Sequence, residues 1–290
     1  MKFEMIPCAE GDDAYIAEKL NAITDSKIVF EDAIEDELIV FKVTDSGGYI
    51  IAGCNLYINC WRVADLDILW VEEKYRRQGI GSSLIREAER AAREKGCRFM
   101  TLGTFDFQAR PLYDKFGFAV CGIIEDCPAK GHTHYDMIKR LDDACDESVI
   151  AASCAFEIRP GDEDDAEYID DKLVEYNRSQ VPAVHDFEWI GRKIRGNHGE
   201  PAAAGFAGVN FWNIAFLEML WVDEPHRDQG MGSCLLSDIE REAKKKGAYL
   251  VMADARDWNV DFFKNRGYTV YCTLEDYPDG YRKYKLQKRL

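Results

Sequence analysis

The stretch Leu69-Trp70-Val71, followed by Tyr75-Arg76-Arg77-Gln78-Gly79-Ile80-Gly81-Ser82, returns later in the chain as Leu220-Trp221-Val222 and His226-Arg227-Asp228-Gln229-Gly230-Met231-Gly232-Ser233. Each copy reads as an apolar strand, a glycine-bearing turn and the start of a helix. The match extends in both directions. Upstream, Ala14-Tyr15-Ile16 corresponds to Glu167-Tyr168-Ile169; downstream, Glu125-Asp126-Cys127-Pro128 corresponds to Glu275-Asp276-Tyr277-Pro278, and Lys139-Arg140-Leu141 to Lys288-Arg289-Leu290. A repeat of that length is a whole domain rather than a solenoid unit, so the chain reads as a tandem duplication.

A length of 290 residues agrees, at roughly 150 per domain. The expected division is a first domain over 1–141, a linker over 142–155 (DDACDESVIAASCA) and a second domain over 156–290. Both copies follow one order of elements. An early amphipathic helix carries Ile16, Leu20 and Ile23, or Ile169, Leu173 and Tyr176, at helical spacing. A strand follows (65–71; 216–222), then the turn. The next helix, 82–95 in the first copy, carries the stripe Leu84, Ile85, Ala88, Ala91 and Ala92; its partner carries Leu235, Leu236, Ile239 and Ala243. Gly96 and Gly247 stand where a C-cap glycine belongs. A further strand (98–101; 249–252) and a short helix ending at Gly117-Phe118 or Gly267-Tyr268 complete the pattern. The expected fold class is α/β (α+β), two layered domains with a twisted mixed sheet flanked by helices.

The composition narrows the function. A net charge of −16 repels phosphate backbones and anionic lipid, which argues against a nucleic-acid or membrane partner. No apolar run approaches the ~18 residues of a membrane helix, and no secretory signal is visible, so a cytoplasmic location is expected. The ten cysteines form no Cys-x-x-Cys and stand at no zinc-ligand spacing with histidine, so no metal is expected. His132 and His134 alternate along an expected strand and read as surface or hydrogen-bonded groups that could line an acceptor site. Trp61 and Trp212 read as core residues.

Arg-x-x-Gly-x-Gly between strand and helix suits an anion. The helix offers unpaired N–H groups and its positive dipole end, while arginines add charge-assisted bonds to phosphate. It is neither a Rossmann fingerprint nor a P-loop, since it lacks Gly-x-Gly-x-x-Gly and a following Gly-Lys-Ser/Thr. It resembles the acetyl-CoA loop of the GNAT superfamily of N-acetyltransferases, Arg/Gln-x-x-Gly-x-Gly/Ala. A second block, Gln108-Ala109-Arg110-Pro111-Leu112-Tyr113-Asp114-Lys115-Phe116-Gly117-Phe118, resembles that family's Tyr-x-x-x-Gly-Phe. The resemblance covers about 3–141 and 156–290. It implies acetyl-CoA as co-substrate, with its pantetheine arm between splayed fourth and fifth strands. Leu69, Val71, Arg76, Arg77, Gln78, Gly79, Ile80, Gly81, Ser82 and Gln108 would contact it in the first copy. Val222, Arg227, Gln229, Gly230, Gly232, Ser233 and Asn259 would do so in the second.

Acetyl transfer needs a neutral amine and a proton for the departing thiolate. By resemblance, Tyr113 gives that proton; read without the resemblance, it is first a half-buried packing aromatic. The matching residue of the second copy is Phe263, which has no proton to give, so catalysis is expected in the first copy. Asp67, matched by Glu218, interrupts an apolar strand, and strict alternation would put it on the face of Leu69 and Val71. It reads as a general base, an electrostatic anchor for an ammonium group, or a structural acid. The leading expectation is an N-acetyltransferase acting on a small, cationic primary amine by direct attack in a ternary complex. The alternative is an acyl-CoA-binding sensor or scaffold, favoured for the second copy by Phe263 and by Asp228 in place of Arg77. The assembly expected is a monomer holding an internal pseudo-dimer, or a homodimer.

Overall fold

The computed structural model describes residues 4–141, 156–196 and 200–290. In chain order the elements are β1 (Met5–Pro7), α1 (Asp12–Lys27), β2 (Glu37–Thr44), β3 (Ile50–Ile58), β4 (Val63–Val71), α2 (Ile80–Glu94), β5 (Phe99–Phe105), α3 (Arg110–Lys115), β6 (Ala119–Glu125) and β7 (Thr133–Arg140). The second repeat supplies β8 (Ile158–Pro160), α4 (Glu163–Gln180), β9 (Glu188–Arg195), β10 (Pro201–Val209), β11 (Ile214–Val222), α5 (Met231–Lys245), β12 (Leu250–Arg256), α6 (Val260–Lys264), β13 (Thr269–Leu274) and β14 (Lys283–Arg289). Among the described residues the strands form two seven-stranded sheets of identical order, β8-β2-β3-β4-β5-β7-β6 and β1-β9-β10-β11-β12-β14-β13. Each is antiparallel except for one parallel pair, β4–β5 or β11–β12. The α/β layering expected from the repeat is the observed one.

The compact units do not follow the repeat boundary. One comprises 30–182 with 277–279; the other comprises 1–29, 183–276 and 280–290. The expected division into 1–141 and 156–290 is therefore corrected by the fold, and the expected linker, 142–155, lies outside the described residues. The two repeats exchange their first strand and first helix. β8 of the second repeat pairs with β2 of the first, with Phe41 opposite Pro160. β1 of the first repeat pairs with β9 of the second, with Met5 opposite Ile194.

The exchanged helices are held by matching devices. Ile169 of α4 is fully buried among Val40, Ile68, Trp70 and Ala166, while Ile16 of α1 is fully buried against Ala204 and Trp221. Burying each isoleucine stabilises its unit by about 1.5–3 kcal/mol. Lys42 of β2 donates to Asp165 Oδ2 of α4 at 2.5 Å, and the equivalent Lys193 of β9 donates to Asp12 Oδ2 of α1 at 2.6 Å. Asp165 also closes a capping box with Asp162, so one carboxylate fixes both the start of α4 and its seat on the sheet.

The middle helices follow the sequence closely. Leu84, Ile85, Ala88 and Ala92 of α2 are buried, and the chain turns out of α2 and α5 through left-handed Gly96 (φ +74°) and Gly247 (φ +94°). Trp212 is buried as expected, whereas Trp61 is half-buried and meets Tyr277 edge-on at 6.2 Å.

Candidate active site

In the unit built on 30–182, β4 ends at Val71 and a single 3-10 turn, Glu73–Tyr75, leads into the glycine loop. Arg77 (φ 62°) and Gly79 (φ +85°) both take the left-handed conformation, which rotates the chain into α2. Asp228 and Gly230 repeat those angles, 60° and +84°, in the other unit. The first turn of α2 then presents N–H groups without intrahelical partners at the positive end of the helix. A β carbon on Gly79 would meet nothing within 4 Å, and one on Gly81 would make ordinary contacts with Leu112 at 3.5 Å and Val71 at 3.7 Å. The space over the loop is thus open to an anionic ligand, and the backbone of Gln78, Gly79, Gly81 and Ser82 fits a pyrophosphate.

Several expected phosphate ligands have other partners. Arg76 donates from Nε to the Val71 carbonyl at 2.9 Å, and its guanidinium stacks 4.4 Å from the Tyr176 ring of α4. Arg227 likewise donates to the Val222 carbonyl, at 3.2 Å. Both arginines tie the loop to the end of the preceding strand. Gln78 and Gln229 close the same turns by donating to the carbonyls of Lys74 and Pro225. Arg77 faces the groove. Ser233 accepts from Arg266, whose guanidinium lies 3.7 Å from the Phe262 ring.

The groove itself, about 490 Å³, runs from the loop past Ile80, Leu69 and Val71 to Tyr113, and on to Leu66, Asp67 and Gly103. It lies in a fork. β4 and β5 pair only from Val63–Phe99 to Asp65–Thr101, after which they part. The register explains why. Asn55 lies opposite Ile68 but its neighbour Leu56 lies opposite Leu66, leaving Asp67 as the extra residue of a β-bulge. The bulge also corrects the alternation expected of this strand. Leu66 and Leu69, three residues apart, pack with the α2 core, while Ile68 and Trp70 turn to α4. Glu218 occupies the same bulge in the second repeat, between Leu217 and Met219.

Electrostatics distinguish these acids from ordinary surface carboxylates. Burial in the groove wall, then the charges of Asp65 and Asp170, push Asp67 up to about 6, although its carboxyl is still open to solvent. Glu218 is raised by burial and by Asp254, and is partly relieved by Lys283. Tyr113 is 7% exposed, and burial followed by the nearby Cys54 raises its phenol. Its ring meets Phe118 edge-on at 5.9 Å; Phe263, equally buried, meets Tyr268 in the same way at 5.4 Å. The two rings share a packing role, and only one carries a hydroxyl.

Further wall residues came from outside the first repeat and were not expected. Tyr176 of α4 lines the groove, and its hydroxyl donates to the Phe107 carbonyl at 2.9 Å. Gln108, expected to touch the cofactor, lines the groove; it also accepts from Thr104 and the Phe105 N–H and donates to Asn177 of α4 at 2.7 Å. Asn259 plays the capping part alone, accepting from the Arg256 N–H at 2.7 Å. The groove of the other unit, about 600 Å³, is likewise walled by Leu20 and Ile23 of exchanged α1. His132 pairs with Asp106 at 3.1 Å and His134 with Asp136 at 3.4 Å. Among the described residues no helix is long and apolar enough to cross a membrane.

A family model described as the acetyltransferase (GNAT) family matches residues 12–118 and again 147–268. A blasticidin-S acetyltransferase of Streptomyces morookaense is 39% identical over 82 residues, which is 28% of this chain and 60% of that protein. The matched stretch thus spans less than two thirds of that relative. An acetyltransferase structure from Bacillus cereus is 33% identical, with a TM-score of 0.44, covering 47% of this chain and 95% of the other. An aminoglycoside 6'-N-acetyltransferase complexed with coenzyme A is 15% identical, with a TM-score of 0.34, covering 49% and 99%.

Proposed function

Since the chain belongs to the acetyltransferase (GNAT) family, we propose that its 30–182 unit transfers an acetyl group from acetyl-CoA to a primary amine of a small cationic molecule. The observation that carries this reading is one continuous groove with an anion-ready loop at one end and, at the fork, a buried phenol and a raised carboxylate. The family uses acetyl-CoA, which supplies an acetyl group already activated as a thioester. Backbone N–H groups of Gln78, Gly79, Gly81 and Ser82 hold its pyrophosphate, with Arg77 beside them. Arg76 acts indirectly, by fixing the loop to Val71 and Tyr176.

Tyr113 keeps its proton at neutral pH, because burial disfavours the phenolate. Its hydroxyl can therefore donate a hydrogen bond to the departing sulfur as negative charge develops there. Asp67, at about 6, is mostly ionised at neutral pH yet more basic than a free carboxylate. It accepts the proton an incoming ammonium must lose, directly or through a water. Asp65 and Asp170 add negative potential there, which favours a cationic acceptor such as a polyamine or an amino-sugar. The blasticidin-S named for one relative agrees with a small-molecule acceptor.

The 183–276 unit supports a second reading for its own groove, binding without turnover. Phe263 replaces Tyr113, and Asp228 sets a negative charge at the loop where Arg77 stands in the other unit. A tandem duplication with one working copy accounts for both observations, in a monomer with an internal pseudo-dimer or in a homodimer. The scattered spacing of the ten cysteines in the sequence supports a reducing, cytoplasmic setting.

Calorimetric titration with acetyl-CoA tests the whole scheme, on the intact chain and on Gly81→Asp and Gly232→Asp. Loss of the turnover-linked site with Gly81→Asp alone is expected. Absence of binding by the intact chain would end the acetyl-transfer reading.

A further inference from the structure

The two grooves differ at the fork. In the 30–182 unit the groove passes between the strands to Leu66, Asp67 and Gly103. In the other unit neither Glu218 nor any residue of β12 lines it. The pairing agrees: β11 and β12 stay joined through Leu217–Ala253, one pair beyond the point where β4 and β5 part.

The residues at the closure are set by register. Gly103 lies opposite Asp136, and Phe105 opposite His134. In the second repeat Asp254 lies opposite Lys285, and Arg256 opposite Lys283. Asp254 therefore replaces Gly103, and Lys283 replaces His134. Lys283 and Asp254 form an ion pair at 2.6 Å, with the lysine side chain only 21% exposed. Both charges act on Glu218. A β carbon on Gly103 would come 3.0 Å from the His134 imidazole Cε1, so any side chain there would have to push the ring aside by a few tenths of an ångström.

We propose that Gly103 and His134 leave the first fork open to the amine acceptor and that the Lys283–Asp254 ion pair closes its counterpart. The inference rests on the acetyl-transfer reading and adds a specificity element to it. In the closed fork an internal ammonium stands beside the bulge carboxylate, where the acceptor's ammonium would otherwise bind. A substrate amine would have to displace a half-buried ion pair to enter. The closed unit thus rejects acceptors for a reason independent of Phe263.

The probes are coenzyme A and a conjugate in which its sulfur carries an acetamide-linked diaminobutane, titrated by calorimetry against the full chain. In a Gly232→Asp background, the conjugate should bind at least about tenfold more tightly than coenzyme A, because its tail threads the fork. Adding Gly103→Asp with His134→Lys should abolish that gain and leave coenzyme A affinity within about twofold. Conversely, in a Gly81→Asp background the two probes should bind alike until Asp254→Gly with Lys283→His opens the second fork. A gain that survives Gly103→Asp/His134→Lys in a folded chain overturns the proposal. Should that variant lose its circular dichroism, the reverse pair decides, and no gain there overturns it equally. A wild-type chain that binds neither probe is a different result, which strikes the acetyl-transfer reading itself.

Discussion

Ile169 lies over Gly53 so closely that a β carbon on the glycine would meet its Cδ1 at 2.2 Å. One residue belongs to the second repeat and the other to the first, so this contact is a direct mark of the exchange. Gly53→Ala should destabilise the 30–182 unit by about 1–3 kcal/mol through overpacking. Ile169→Ala should cost about 2–5 kcal/mol as a cavity. The double variant should recover part of both losses, read from urea midpoints. Strict additivity would mean that α4 does not sit on β3.

The Lys42–Asp165 pair makes the same point through charge. Burial raises the Asp165 carboxyl, but the Lys42 hydrogen bond and charge and the Asp162 backbone N–H outweigh it and hold the group below its ordinary value of 3.8. A depressed carboxylate stabilises the fold above that value, and the contribution is lost as pH falls through the lower folded value. Lys42→Met should cost about 1–3 kcal/mol at neutral pH. It should also flatten the acid-side loss of stability in urea titrations from pH ~5 downward. An unchanged acid limb would remove the pair from the account.

Tyr113→Phe installs the residue that already packs at the same place in the other unit, so folding should be undisturbed. Turnover should fall on the order of 100-fold with acetyl-CoA affinity unchanged. Steady-state kinetics beside calorimetry separate the two effects. Equal turnover would leave Tyr113 as a packing residue.

Asp67 predicts two pH dependences. As a base of about 6, it should give kcat/KM a limb that rises with pH and levels off above 6, and Asp67→Asn should remove that limb with most of the activity. On stability the sign is opposite to that of Asp165. A carboxyl raised in the folded state keeps its proton while the unfolded chain has released its own. Stability therefore declines as pH climbs from the ordinary value of 3.8 to about 6. Asp67→Asn should erase that decline, as followed by melting temperature across the interval.

Tyr176 predicts that the second repeat tunes cofactor binding in the first. Tyr176→Leu removes both the ring under Arg76 and the bond to Phe107. Acetyl-CoA should then bind about 3–10-fold more weakly at that loop, given the usual strength of a cation–π contact. Tyr176→Phe should lose less, because the ring remains. Identical affinities in all three chains would confine α4 to a structural role.

Much of this was legible in the chain. The glycine turn fixed the junction of strand and helix, and the alanine-rich stripe of α2 marked its buried face. The pairing of Tyr113 with Phe263 followed from aligning two glycines. The exchange was illegible for a physical reason. Asp12 and Asp165 are equivalent, as are Lys42 and Lys193, so each helix carries the complement of either sheet. A duplicated sequence states which features pair but not which copy supplies them. The bulge at Asp67 was hidden for a different reason, since one inserted residue changes no residue type and only shifts the register. The second partners of Arg76 and Gln108 were not legible either, because a polar side chain near a loop reads alike whether or not it also bonds the loop's own backbone.

The exchange of β1 and α1 has a consequence for biosynthesis. These segments leave the ribosome well before their partner strands, β9 to β11. At ~5–20 residues per second the unpaired strand and the stripe of Ile16, Leu20 and Ile23 wait on the order of ten seconds for their permanent seat. Meanwhile β2, bearing Lys42, is already out and offers the same welcome to Asp12. The order of synthesis thus offers α1 an equivalent seat on the first repeat's own strands before its exchanged seat exists.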